Sequence, residues 1–264
     1  MPGDDRAAPG ARSGNEEDDD NDDSPTSGHD GDDSLSGGEG DDHIDGGDGE
    51  NHLSGNDGDD DVRGGSGSDD IAGGAGDDTV HGGDGDNHLR GDGGDDALDG
   101  GSGFDDINGN TGNDTEHGGG GGDWIVGGKD HDAIFGDDGD DIVYGNLGED
   151  TASGGAGDDL VRGGQDNDVL AGGSGDDWLS GDRGSDTVSG GEGADTFHFS
   201  AGAGLDVVSD FSAAQGDHVL LDPGSTFTAR QTGADVTIDI DGGADHMVLL
   251  NTQLSTLPPG WITG

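Results

Sequence analysis

A period of nine residues constrains this chain more than any other feature. With the frame set at Gly28, nineteen units follow one another without insertion or deletion to His198. The first position is Gly in all nineteen. The fourth is Gly in seventeen, with Asp130 and Asp166 as exceptions, and the sixth is Asp in seventeen, with Asn51 and Asn87 as exceptions. The eighth is Leu, Ile, Val or Phe in seventeen, with Glu116 and Ala152 as exceptions. Low-complexity drift would not hold its phase over such a length. A longer period lies on the short one: residues 46–81 and 82–117 match at 23 of 36 positions, and the Thr at 79 recurs at 115, 151 and 187. Four units duplicated together imply that units stack in a fixed geometry.

Such a unit cannot be helical, because each interior glycine costs about 1 kcal/mol. Glycine does let GGxGx curl tightly and turn carbonyls inward, and the Asp at position six adds a carboxylate beside them. The remaining three residues predict a short strand with position eight facing in and its neighbours facing out. One apolar side chain per unit is a thin core. Hydrophobic residues make up 25% of the chain, against about 45–50% in ordinary domains, so something besides apolar burial must offset the ordering entropy. Asp and Glu number 63 against 8 Lys and Arg, a net charge of −55. That charge repels nucleic acid and anionic membranes and attracts cations. The absence of cysteine removes disulfides and thiolate metal sites. Hard oxygen donors suit Ca²⁺, which takes about 6–8 of them in loose geometry; Mg²⁺ demands stricter geometry and keeps its waters.

GGAGDDTVH (73–81), GGAGDDLVR (154–162) and GGSGDDWLS (172–180) fit GGxGxDxUx, with U a large apolar residue. In this the chain resembles the RTX (repeats-in-toxin, haemolysin-type) calcium-binding proteins. GADTFHFS (193–200) and DVVSDFSAAQGD (206–217) resemble the segment that follows RTX arrays. The resemblance implies an all-β fold, a right-handed parallel β-roll (a β-solenoid) with two units per turn and each Ca²⁺ held between the loops of units n and n+2. Its metal ligands would be the position-six carboxylates Asp33, Asp42, Asp60, Asp69, Asp78, Asp96, Asp105, Asp114, Asp123, Asp132, Asp141, Asp150, Asp159, Asp168, Asp177, Asp186 and Asp195. Nineteen units paired in this way offer up to about seventeen Ca²⁺ sites. Without calcium the loop carboxylates repel one another, so the array is expected to fold on binding multiple ions.

Three regions follow. Residues 1–27, with nine acids, two arginines and no aromatic residue, predict a disordered acidic arm. Residues 28–198 are the calcium-binding roll of nineteen repeats. Residues 199–264 predict a small C-terminal β cap, since a solenoid must cover its last apolar layer. FHF (197–199), LDVVSDF (205–211), HVLL (218–221), VTIDI (236–240) and HMVLL (246–250) read as strands, the last two as a hairpin turned at Gly242–Gly243. In the RTX family such a tail also directs export, so the resemblance implies a bacterial protein secreted to the extracellular space by type I secretion machinery. No N-terminal stretch could serve as a Sec signal, and no apolar run could span a membrane.

The repeats leave no room for an enzyme: HExxH and GxSxG are absent, and no catalytic residue is expected. His52/His88 and His81/His117 fall 36 residues apart, hence two turns or about 9–10 Å, too far to share zinc at about 2.0–2.1 Å per ligand. The function expected is that of a stand-alone secreted calcium-binding protein with a structural role or surface or matrix partners. The alternative is the calcium-dependent folding and export module of a larger RTX toxin or secreted enzyme. A carbohydrate- or ice-binding face would need a regular ladder at positions seven or nine, and these positions are heterogeneous. Met1 ahead of a non-repeat arm favours the stand-alone reading. Among the exceptions, Asn51 and Asn87 predict weaker sites, and Asp130 and Asp166 predict strained loops unless Asp tolerates the left-handed conformation there. Glu116 predicts a carboxylate in the inward layer that is either a costly unpaired charge or neutralised by proton uptake. With Ala152 leaving a void, the centre of the array, near residues 110–155, is expected to open first.

Overall fold

The computed structural model describes residues 15–17, 26–242 and 245–264. Two parallel sheets run the length of the molecule, and the chain alternates between them at every unit. One sheet takes β1 (Asn15–Glu17), β3 (Ser34–Glu39) and the odd strands to β23 (His218–Leu221), then β27 (Ile262–Thr263). The other takes β2 (Thr26–Asp30), β4 (His43–Asp48) and the even strands to β20 (Thr187–Glu192), followed by β22 (Leu205–Val208) and β26 (Asp245–Leu249). Strand partners lie eighteen residues apart through the repeats, as Leu35↔Leu53 and Ile44↔Val62 show. Two nine-residue units therefore complete one turn, and the fold is the expected parallel β-roll.

The strands are longer than the sequence predicts. From β3 to β20 each is six residues, running from position seven of one unit to position three of the next. The two glycines do not end the strand; they bend it. Pairing skips position one, as in Ser36↔Ser54 followed by Gly38↔Asn56. Position one is glycine because there is no room for anything else: a Cβ on Gly55 would lie 2.1 Å from Asp60 Oδ2 and 2.5 Å from the Gly73 carbonyl. Position four instead takes a positive φ in every unit but that of Gly184. Asp130 (φ 75°) and Asp166 (φ 76°) adopt it there, as short polar side chains can, so the expected exceptions keep the loop's backbone path.

Position-eight side chains from both sheets form one continuous buried core. Near-complete burial of each Val, Ile or Leu contributes about 1.5–3 kcal/mol. The one apolar residue per unit is thus fully used.

The roll extends past both boundaries read from the repeats. β1 pairs with β3 and Thr26 pairs with Ile44, so strand structure starts inside the segment expected to be a disordered arm; the rest of that arm lies outside the described residues. At the other end β21 (Thr196–Phe199), β22, β23, β26 and β27 continue the two parallel sheets. β25 (Asp235–Ile240) pairs antiparallel with β26, as VTIDI and HMVLL predict, and β24 (Phe227–Thr232) adds an outer strand that the sequence reading omits. Phe211 packs between Phe197 and Trp261, with centroids 5.9 and 6.3 Å away.

Candidate metal sites

Where the chain crosses from one sheet to the other, the position-six carboxylates of successive turns stack into a ladder. The backbone N–H of Asp42 donates to Asp60 Oδ1 at 2.7 Å, that of Asp60 to Asp78 Oδ1 at 2.8 Å, and that of Asp78 to Asp96 Oδ1 at 2.8 Å. The odd-numbered units repeat this from Asp105 to Asp123 (2.8 Å), Asp123 to Asp141 (2.7 Å) and Asp141 to Asp159 (2.8 Å). One ladder runs along each side of the roll. All seventeen sequence-predicted aspartates lie in them, none more than 7% exposed.

These hydrogen bonds use Oδ1 only. From Asp60 to Asp195, the Oδ2 of each of the fifteen position-six aspartates is buried without a hydrogen-bond donor among the described residues. It faces another acceptor. Around the point where a position-one Cβ would lie, Asp141 Oδ2 and the Gly154 carbonyl stand 2.4 and 2.3 Å away, and Asp177 Oδ2 and the Gly190 carbonyl 2.2 and 2.6 Å away. The carbonyl belongs to the unit two further on. A buried anionic oxygen opposite a carbonyl, with no proton between them, is costly unless a cation joins them.

The two exceptions at position six mark where positive charge belongs. Asn51 keeps its place in the ladder: Oδ1 accepts from the Asp33 N–H at 3.1 Å. Its Nδ2 lies where an aspartate has Oδ2, and donates to the carbonyls of Gly49 at 3.3 Å and Gly64 at 3.4 Å. Asn87 does the same toward Gly85 and Gly100, at 3.2 and 3.3 Å. An amide N–H thus supplies what the aspartate units lack. A carboxylate oxygen with carbonyls of two successive turns is a hard, all-oxygen donor set, and it fits Ca²⁺.

Protonation is the other way to relieve these carboxylates. Desolvation, with repulsion between neighbouring rungs, pushes Asp78, Asp96, Asp132 and Asp159 up to about 7. Asp168 is pushed to about 8 for the same reasons. Glu116 is raised well above the usual carboxylate range by burial and by Asp132 and Asp114.

Two ladder members escape the nine-residue frame. Asp186 N–H donates to Asp206 Oδ1 and Asp195 N–H to Asp217 Oδ1, both at 3.3 Å. Insertions place them 20 and 22 residues on, so the period does not reach them. The signal that could have found them is local: each stands two residues before a buried valine, Val208 or Val219, as position six stands before position eight. The histidines decorate the outer faces in pairs such as His52–Asp70 (3.0 Å) and His88–Asp106 (3.4 Å).

The RTX calcium-binding nonapeptide repeat model, built as four copies, matches residues 27–62, 63–98, 117–152, 144–179 and 171–206. No curated protein matches the chain. Among solved structures, the AlgE6R3 subunit of the Azotobacter vinelandii mannuronan C5-epimerase is 22% identical with a TM-score of 0.23, over 58% of this chain and 80% of that one. The extracellular lipase LipA of Serratia marcescens is 18% identical with a TM-score of 0.28, over 91% of this chain and 40% of that one. At these TM-scores neither structure bears on what this chain does.

Proposed function

Because the chain belongs to the RTX calcium-binding nonapeptide repeat family, we propose that it is a secreted protein whose roll folds as Ca²⁺ fills the position-six ladders, with a structural role at a cell surface or in a matrix. The ligands would be the seventeen aspartates from Asp33 to Asp195 together with loop carbonyls, and the ions would number up to about seventeen. One observation carries this reading: a donorless Asp Oδ2 set against a backbone carbonyl, repeated on rung after rung.

The energetics support a switch. Extracellular calcium modules bind with constants of about 10⁻⁴–10⁻³ M. At ten times that concentration each site contributes about 1.4 kcal/mol, so some seventeen sites would contribute about 24 kcal/mol. A typical domain has only about 5–15 kcal/mol in all. Calcium-poor cytosol would leave the chain unfolded and fit for export, and calcium outside would fold it. Residues 199–264 would serve as the type I secretion signal, and the array itself would be non-catalytic.

Circular dichroism tests this. In chelator the chain should be largely unfolded, and calcium should raise the β signal cooperatively at about 10⁻⁴–10⁻³ M, while magnesium at equal concentration should not. A β-rich spectrum persisting in excess chelator at neutral pH would refute the proposal.

A further inference from the structure

Glu116 occupies position eight, where its sheet neighbours in register are Leu98 and Ile134. It is 0% exposed, and neither of its carboxylate oxygens has a hydrogen-bond donor. A charge left among aliphatic side chains would be expected to weaken the roll. Its side chain, however, does not end in the apolar layer. It bends back to the loop of its own unit, where a Cβ on Gly109 would lie 2.3 Å from Asp114 Oδ2 and 2.6 Å from Glu116 Oε1. Oxygens of Asp114, Glu116 and Asp132 all lie within 4.8 Å of one another. Among the described residues no other group of three metal-ligating side chains comes together in this way.

That spacing is what one ion requires. Oxygens on opposite sides of Ca²⁺, each at 2.3–2.6 Å, are about 5 Å apart. Elsewhere in the ladder the core contributes only hydrocarbon; here it contributes a third carboxylate, buried and without a hydrogen-bond partner among the described residues.

We propose that Asp114, Glu116 and Asp132 form a three-carboxylate Ca²⁺ site, one charge richer than the other rungs and the tightest of the array. The inference rests on the calcium reading above. It reverses the consequence drawn from the sequence: the rung at Glu116 holds on to calcium after the ordinary rungs release it.

The test uses the full-length chain as wild type, E116Q and E116L, with D141N as a variant of an ordinary rung. Calcium is titrated while bound ions are counted by native mass spectrometry and hydrogen exchange is followed by residue. In the wild type, protection over residues 109–134 should persist at calcium concentrations that release the rest. E116Q and E116L should both lose the tightest ion, by about tenfold or more in affinity since charge count sets affinity in such sites, although E116L makes the core more apolar. D141N should leave that ion in place. If E116Q and E116L keep the tightest ion and E116L is simply more stable, Glu116 is a protonated core residue and the inference fails alone. A wild type that takes up no calcium overturns the functional proposal as well.

Discussion

The side-chain amide of Asn51 bridges two successive turns, donating to Gly49 in its own unit and to Gly64 two units on, at 3.3 and 3.4 Å. An ionised aspartate in the ladder cannot make this contact, because it has no proton to donate. The Asn51 and Asn87 rungs therefore close without an ion, whereas the sequence alone predicts weak sites there. N51D and N87D should each raise the number of bound calcium ions by one and destabilise the roll in chelator. D69N, between them, should lower the count by one and make the metal-free roll more stable by about 1–3 kcal/mol, the cost of one unsatisfied buried polar group. Unchanged ion counts in N51D would show that the amide does not stand in for the cation.

Acid should replace calcium in part. Asp78, Asp96, Asp132 and Asp159 lie near 7 and Asp168 near 8 in the roll, against 3.8 for an ordinary aspartate. Because the folded-state values are raised, the metal-free roll holds more protons than the unfolded chain between about pH 4 and pH 8. Its stability is fully present below about pH 4 and is lost as the pH rises through 6–8. In chelator, β structure should grow as the pH is lowered from 8 to 5. Calcium needs these groups ionised, so binding near pH 6.5 should release protons. Titrations in buffers of different ionisation enthalpy would measure that release, and its absence would place the carboxylates in the ionised state before the metal arrives.

Ala152 is the remaining weak point of the core. It pairs with Ile134 and Leu170 and is 1% exposed, so it holds a methyl where neighbouring strands hold branched side chains. A152V should stabilise the calcium-loaded roll by about 1–2 kcal/mol, as roughly two buried methylenes would. Denaturant titration in saturating calcium checks this. A loss of stability would show that Leu170 and Ile134 already fill the space.

Much of this was legible in the sequence. Twice nine gives the eighteen-residue register, and the apolar eighth position gives the core. What the period cannot show is direction within a unit. The two glycines read as a turn, yet the strand runs through them, because position one clears space for Asp Oδ2 and the next turn's carbonyl. Glu116 read as an isolated core charge, because nothing linear brings it to Asp114 and Asp132. Asp206 and Asp217 were missed because insertions shift the spacing while the ladder's hydrogen bond persists. β24 was missed because only one of its six residues, Ala229, is even half-buried, which leaves no apolar alternation to read.

The C-terminal segment should have two separable roles. Val208 pairs with Val188, Val219 with Phe197, and Ile262 with Val219, so residues 199–264 supply the last rungs of both sheets. Phe211 seals that end against Phe197 and Trp261. F211A should remove about 3–5 kcal/mol of local stability, as phenylalanine truncation in a core does, with faster hydrogen exchange over residues 196–221. Because that variant keeps the whole tail, export should continue; deletion of residues 199–264 should leave the protein inside the producing cell. Export of the truncated chain at the intact level would remove the signal role. Equal exchange in F211A and wild type would remove the capping role of the aromatic cluster, whatever the export result.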